Sequence, residues 1–546
     1  MSKEKLAAGA QRLGFPAVFL ISAAVVLWAY FAALDFPFIS DDRVYLSGNL
    51  ALQQLQPGEL WRLLIEPYNR YEYLPLRDLS YWIELQLFGL HPAGYRIDNL
   101  ILYLLCCALV YAVTLSLWRY LNPGQADSAR WAAAVVTALF TIHPAHIEAV
   151  VWISGRKDLL AGMFSMLALW LALRARSEQG LRGGYAAGTL IALVAALLSK
   201  GSAVAMAPVI ALLWLMFWRD TASSGGGQTL WRRFGQLLWV AAPLALAACA
   251  ISIISSHSTV QLVPYWGMEI YTRALAILGS MLWLTLTPGD RHYFYPVFED
   301  PWLWAFISAG GIVLLAAIIA ALRWRTGSIA SFATPAFILL CLPYLQFMPF
   351  ITHTLVADRF VFLALWPIIL LLVMLAWRVK AVSRAVLLCL VAMPWLVQTV
   401  ERPRDWRSID TLAAADLRAY SGSYFALFKN VETQLSAGQY HAAHQTATRI
   451  SDPEIRNIAV QLVEGAYAVA DEAVVHKDPR DALERLHRLD ILLRQPLAQA
   501  AWNTPMFSFW LTCRNILALE WATLGKNSPE DAQVRNEVKA HQEGGF

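Results

Sequence analysis

About eleven stretches of this chain are apolar over close to the roughly 20 residues that a helix needs to cross a bilayer. They lie near 15–34, 98–118, 131–147, 159–174, 184–199, 203–218, 235–255, 302–322, 332–350, 359–377 and 383–399. A backbone in lipid must satisfy its own polar groups, so runs of this length in one chain leave a helical bundle as the fold. The chain is 58% hydrophobic and only 15% charged, against about 25% charged in soluble domains. We therefore expect an all-α, multi-pass membrane protein.

Lys and Arg in short loops set the orientation. Lys3, Lys5, Arg119, Arg130, Arg174, Arg182, Arg219, Arg232, Arg233, Arg323, Arg325, Arg378 and Arg384 mark a cytoplasmic side. Asp41, Asp42, the 143–158 segment, Lys200 and Ala357-Asp358-Arg359 then fall on the external side. Counting 271–287 as a crossing would break this parity, so it is expected to be re-entrant or interfacial. The basic N-terminus leads into an apolar run with no small-residue cleavage site after it, which predicts an uncleaved first span. Five of the six cysteines lie inside apolar runs and are expected to be packing residues rather than disulfides. The net charge of +4 is small and comes from dispersed residues, so it gives no argument for a nucleic-acid partner, and none is expected.

The first external loop, 35–96, repeats Leu, Trp and Ile at helical spacing, which predicts interfacial helices. Past 400 the composition changes: charged residues and Gln alternate with Ala and Leu, and no run can span a membrane. We expect a membrane domain over 1–400 and a small soluble helical domain over 401–546. Within the latter, 430–449 has a helix, a turn at Gly438-Gln-Tyr440 and a second helix, resembling one tetratricopeptide unit.

Charge is expensive at a membrane boundary and usually marks a pathway or a site. Two clusters stand out. Asp41 and Asp42 follow the first apolar run; they suit a catalytic carboxylate, or equally a solvated helix end. Asp42 is the slightly favoured of the two. His143, His146, Glu148, Arg156, Lys157 and Asp158 crowd one segment between apolar runs. Its histidines suggest a metal site, but Pro144 argues against one helical face and no zincin motif is present. The preferred reading is a polar lining in which Arg156 and Lys157 meet phosphate. Arg77, Lys200 and Arg359 are further candidates for a lipid phosphate, and Arg291 and His292 lie in a cationic, aromatic loop. No resident metal is expected, although a divalent cation remains compatible with these residues.

In this order the motifs resemble the C-type (GT-C) glycosyltransferases, and within them the TMTC-type protein O-mannosyltransferases. The likeness runs over about 15–400. Phe38-Ile-Ser-Asp41-Asp42 resembles the family's acidic motif after span one. Tyr73-Leu-Pro-Leu-Arg77 and Leu90-His-Pro-Ala-Gly-Tyr95-Arg-Ile-Asp-Asn99 resemble its proline-leucine segment and "G-L-N-P-x-G-Y-H-x-x-N". The segment from His143 to Leu160 is similar almost throughout to "H-P-x-H-T-E-A-V-x-x-I-x-G-R-A-D-L-L". Leu198-Ser-Lys200 and Ala357-Asp-Arg359-Phe-Val-Phe-Leu363 resemble "L-L-S-K-E" and "A-E-R-Y-L-Y-L-P". Gly201 stands where the family has glutamate, and Ala364 where it has proline.

The resemblance implies an inverting transfer of a sugar from a polyprenyl-phosphate carrier to an acceptor protein or glycan, on the external face of a membrane. A bacterial inner membrane is the favoured setting, and an endoplasmic reticulum membrane fits the family equally well. Two other classes fit the same composition: a transferase acting on a lipid or polysaccharide, and a transporter or flippase of lipid-linked sugars. A flippase would carry internal repeats and helices broken at the bilayer midplane. Here the charges gather at one face instead.

Overall fold

The computed structural model describes residues 20–66, 72–223 except 123, 125, 178 and 179, then 269–289, 291–293, 295, 301–323, 329–347, 356–450 and parts of 456–467. The expected run at 235–255, the N-terminal and 232–233 basic residues and the chain beyond 467 lie outside them. Nearly everything described is helical. A pairing of Arg176–Ser177 with Gly180–Leu181 is the one strand pairing among the described residues.

The first described helix, α1, is Leu20–Phe31. The loop after it carries the one-turn α2 (Leu50–Gln53), a 3-10 stretch Pro57–Leu64 and α3 (Pro75–Phe88). Pro75 and Pro92 each sit at the start of a helix, where the missing N–H is no loss and the fixed φ is already helical. Gly89 separates α3 from α4 (Pro92–Leu121) at φ 57°, which a side chain would strain. Helix α4 has 30 residues, about 45 Å at 1.5 Å per residue, enough to cross with a tilt. There follow α5 (Ala126–Thr141), α6 (His146–Val151), α7 (Arg156–Ala175), α8 (Gly183–Ser199) and α9 (Met206–Ser223). Next come α10 (Glu269–Leu286), α11 (Pro301–Arg323), α12 (Ile329–Cys341), α13 (Leu365–Ala376) and α14 (Ala381–Glu401).

Three described helices, Pro92–Leu121, Ile153–Ala175 and Ala381–Arg407, are long and apolar enough to cross a membrane, and several shorter apolar helices accompany them. The chain is thus an all-α, polytopic membrane protein. Two expected boundaries shift. The 131–147 run ends as a helix at Thr141, because Pro144 cannot continue it, and restarts at His146. The 359–377 run begins with a 3-10 turn, Asp358–Val361, and becomes α-helical only at Leu365. The 271–287 stretch, expected to be re-entrant or interfacial, is one unbroken helix packed along α11.

Two compact units divide the chain. The first holds α1 to α14 and the 3-10 turn Arg402–Arg407; α7 packs along both α8 and α4, and α13 lies against α12 and α5. The second contains 291–300, 351–354 and the chain from Asp410. Helices α15 (Ile409–Ala419), α16 (Tyr424–Ser436) and α17 (Tyr440–Ala447) begin that tail. Helices α16 and α17 form a hairpin turned by Gly438 at φ 71°. Asp416 accepts a 2.7 Å hydrogen bond from the Tyr293 N–H within this second unit.

Helices α10 and α11 approach through glycine. A Cβ on Gly279 would lie 1.8 Å from the Ile307 carbonyl oxygen, and one on Gly311 2.5 Å from that of Leu275. Small residues let membrane helices touch backbone to backbone. Gly279→Val should therefore lower the unfolding temperature of the detergent-solubilised protein, on the scale of the ~1–3 kcal/mol typical of overpacking. Gly183→Ala, which would meet nothing within 4 Å, should leave it unchanged.

Candidate active site

The charged segment His143–Asp158 is bolted to its neighbours through its own carbonyls. Ending α5 at Thr141, kinking at Pro144 and breaking again at Trp152 leave backbone groups that no helix satisfies. Arg96 and Asn99, both on α4, supply the donors. Arg96 Nε donates to the Val151 carbonyl (3.0 Å), and its other nitrogens reach the carbonyls of Leu34, Phe36 and Pro37 at the end of the first helix. Asn99 Nδ2 donates to the carbonyls of Val150 (3.1 Å) and Trp152 (3.3 Å). Tyr81 donates to the Ile153 carbonyl at 3.0 Å. A Cβ on Gly155 would come 2.7 Å from the Ala149 carbonyl oxygen, so only glycine fits where the chain doubles back.

Two of the five candidate cations lie in this scaffold. Arg156 is completely buried. It pairs with Glu84, donates to Asn99 Oδ1 (2.7 Å) and to the Tyr95 carbonyl (2.6 Å), and lies over the Tyr81 ring. Arg77 is equally buried. It is held by Asp78 (2.8 Å) and Glu72 (2.6 Å) and covers the Tyr45 ring at 4.2 Å. Neither presents a face to an incoming ligand. Lys157 shares Glu72 with Arg77, at 2.7 Å. Burial works against charge on Glu72, and Lys157 and Arg77 overcome it, holding the carboxyl well below the usual carboxylate range.

Lys200 and Arg359 are placed differently: both line a narrow cleft, with Asp158, Ser202, Tyr344 and Phe360. Their side chains retain 14% and 17% of their exposure. Lys200, in the break between α8 and the 3-10 turn Gly201–Ala205, pairs with Asp158. Arg359 pairs with Glu148, which also accepts the Arg359 backbone N–H at 2.9 Å. Tyr344 and Phe360 stack at 4.6 Å and 17°, and the Lys200 ammonium sits 5.5 and 5.7 Å from their ring centres. The Tyr344 hydroxyl is 2.8 Å from that of Ser202.

The two aspartates diverge. Ser40 takes φ 49°, rare for a residue with a side chain, just before them. Asp42 is fully buried. One of its oxygens accepts the Ser154 N–H (2.8 Å) and hydroxyl (2.6 Å), and the other accepts the Ile39 N–H (3.2 Å). Burial pushes its carboxyl up to about 6, against the pull of the Ser154 hydrogen bond. Asp42, first choice on sequence grounds, is a fastener between the first loop and the charged segment. Asp41 is only partly buried, touched by the Ser40 hydroxyl at 3.4 Å. Burial raises its pKa, opposed by Lys157 and Arg359, while Glu72 adds to the rise.

The remaining candidates fall elsewhere. His143 and His146 are fully buried. The His143 ring meets Trp395 at 4.3 Å, and His146 lies among Phe140, Phe362 and Tyr103. Among the described residues no group of three or more His, Cys, Asp or Glu is arranged to hold a metal ion. Arg291 and His292 belong to the second compact unit. Sequence reasoning assigned no role to Glu72, Glu84, Tyr344 or Ser202. Glu72 stands beside Arg77 in a conspicuously aromatic stretch and was within reach. Glu84, on an amphipathic helix, resembles any solvated acid.

No protein-family model matches the chain. It is similar to the mouse (Mus musculus) Protein O-mannosyl-transferase TMTC4, 31% identical over 199 residues, 34% of this chain and 26% of that protein. The human (Homo sapiens) TMTC4 is 29% identical over 178 residues, 30% and 24% of the two chains. Drosophila melanogaster Protein O-mannosyl-transferase Tmtc1 is 30% identical over 189 residues, 33% and 21%. The chain thus matches about a quarter of the length of these relatives. Among solved structures, ArnT from Cupriavidus metallidurans bound to undecaprenyl phosphate aligns over 93% of this chain and 77% of its own, at 15% identity and TM-score 0.38.

Two outcomes follow from the buried charges. Arg156→Ala leaves Glu84 buried without its partner and should destabilise the protein by about 3–5 kcal/mol in thermal unfolding, the range for breaking a buried pair. Asp42 titrates near 6 when folded and near 3.9 when unfolded. Between these values the folded chain holds the extra proton, so this group makes stability fall as pH rises from about 4 to about 6. Unfolding temperatures across that window should show a shallower fall for Asp42→Asn than for the unaltered protein.

Proposed function

We propose that this chain is an integral-membrane glycosyltransferase of the GT-C type, which moves a sugar from a polyprenyl-phosphate carrier to an acceptor at the external face of a membrane. The reading rests above all on one observation: two cations, Lys200 and Arg359, line one cleft, each held by an acid, Asp158 within the lining and Glu148 behind it, and Asp41 lies within the electrostatic reach of Arg359 and Lys157. The similarity to the protein O-mannosyl-transferases supports the transfer chemistry and a protein acceptor. The segment 1–400 would be the catalytic membrane domain and 401–546 a soluble helical domain that meets the acceptor. A bacterial inner membrane, with the site on its periplasmic side, is the favoured setting.

Lys200 and Arg359 hold the carrier phosphate. Asp41 accepts the proton of an acceptor hydroxyl as its oxygen attacks the anomeric carbon. The bond from that carbon to the phosphate oxygen breaks, configuration inverts, and the charge left on polyprenyl phosphate is stabilised by the two cations. The raised pKa of Asp41 suits a base that must take up a proton. Arg77 and Arg156, with their charges already met by Glu72, Asp78 and Glu84, hold the loop and the charged segment in place.

The test is sugar release from a radiolabelled polyprenyl-phosphate sugar by purified protein. Asp41→Asn should lose at least about 100-fold in turnover, the scale of general-base catalysis, while keeping its unfolding temperature. Asp42→Asn should retain turnover where it stays folded and lose stability instead. Equal turnover in Asp41→Asn and the unaltered protein would overturn the assignment.

A further inference from the structure

Two neighbours of Arg359, Asp358 beside it in the chain and Trp152 under its guanidinium, are both held by the same short turn. The turn is Arg402–Arg407, a 3-10 segment directly after α14. Arg402 Nη1 lies 3.3 Å from Asp358 Oδ2 and so holds the residue preceding Arg359. Arg402 also approaches Asp405, at 3.7 Å, within the turn. Trp406, 2% exposed, lies against Trp152, also 2% exposed, with ring centres 5.9 Å apart and planes inclined by 31°. Trp152 in turn carries the guanidinium of Arg359, 5.4 Å from its ring centre.

Upstream, the same stretch is anchored to the charged segment at two more points. Thr399 donates to the Ile142 carbonyl at 2.7 Å, and Trp395 meets His143 at 4.3 Å. Downstream, Arg359 continues the series onto Phe360, 5.0 Å away, and Phe360 stacks on Tyr344 at the wall of the cleft. From Trp406 through Trp152, Arg359 and Phe360 to Tyr344, each group therefore lies on the next.

We propose that the Arg402–Arg407 turn is a strut that fixes Arg359 in the cleft, with Arg402 and Trp406 as positioning residues for phosphate binding. Neither touches substrate. They act through Asp358 and Trp152. Near α14 an arginine has an ordinary topological explanation, and a tryptophan an interfacial one. Those explanations do not account for a buried indole against Trp152 or for an arginine on Asp358. The proposal rests on the reading that Arg359 takes the carrier phosphate, and the test separates the two.

The measurement is binding of undecaprenyl phosphate, and of undecaprenol as the phosphate-free control, to the full chain in nanodiscs. The variants are Arg359→Ala, Trp406→Ala, Trp406→Phe, Arg402→Ala, Arg402→Lys and the double variant Trp406→Ala/Arg359→Ala. Arg359→Ala should weaken binding of the phosphate by about tenfold or more, as expected for loss of a charge-assisted contact, and leave undecaprenol binding unchanged. Trp406→Ala and Arg402→Ala should each weaken the phosphate by about three- to tenfold, within the range of one cation–π or partly exposed ionic contact. Trp406→Phe and Arg402→Lys should restore much of it. In the Arg359→Ala background Trp406→Ala should have almost no further effect, because residues acting through one group do not add.

An unchanged Arg359→Ala would overturn the phosphate reading and the strut with it. A weakened Arg359→Ala beside an unaffected Trp406→Ala and Arg402→Ala would overturn the strut alone. So would additive losses, or parallel losses for undecaprenol, which would make the turn a general support of the fold.

Discussion

The buried contact between Arg156 and Glu84 is the constraint on which the rest of the described site depends. A charge without water is tolerated only when its partner and its remaining hydrogen bonds are all in place. Arg156 draws together three separate pieces: Glu84 from α3, Asn99 and the Tyr95 carbonyl from α4, and its own position at the start of α7. Asn99 in turn donates to Val150 and Trp152. Once these contacts form, the segment bearing Glu148, Lys157 and Asp158 has little remaining freedom. The segment so held carries Asp158, which lines the cleft and pairs with Lys200.

The same logic divides the acidic pair after the first helix. After Ser40, at φ 49°, two adjacent carboxylates enter different environments. Asp42 closes a link of 112 residues to Ser154 and cannot also receive a substrate proton without releasing it. Asp41 makes one long hydrogen bond, to Ser40, among the charges of Lys157, Glu72 and Arg359. Position in the chain differs by one; chemical availability differs by much more.

This explains which parts were legible in the sequence. The apolar runs were, because hydrophobic length is a local property and the bilayer sets its scale. The His143–Asp158 segment stood out too, since six ionisable groups between apolar runs are costly wherever they sit, and all six are buried. The division of labour among the cations was not. Arg77 and Lys200 look alike in sequence, each a lone cation beside an apolar helix. What separates them is a partner distant or unremarkable in the chain: Glu72 and Asp78 enclose Arg77, while the acid of Lys200 comes from 42 residues away at a cleft. Glu84 and Arg402 were silent for the same reason, because an acid on an amphipathic helix and an arginine after a span have ordinary explanations. The surroundings of the histidines were not legible either. Their spacing suggests a ligand pair, yet aromatic rings close around both.

The side chains sort by chemistry as well as by place. The most deeply buried cations among the described residues, Arg77, Arg96, Arg156 and Arg291, are all arginines. Only a guanidinium has enough donors in a fixed fork to satisfy so many acceptors at once, and Arg96 alone reaches four carbonyls on two chain segments. A lysine there would leave carbonyls unmet and would carry its charge poorly without water. The two lysines keep some exposure and each rests against a carboxylate. An ammonium is a compact point charge on a flexible stem, and it can turn from one anion to another with little geometric demand. Arg359 combines the two roles. Its backbone N–H and guanidinium are both tied to Glu148, its guanidinium carbon lies 5.4 Å from the Trp152 ring centre and 5.0 Å from that of Phe360, and it still borders the cleft. A guanidinium carries five N–H donors, so one that pairs with a carboxylate keeps donors for a second anion.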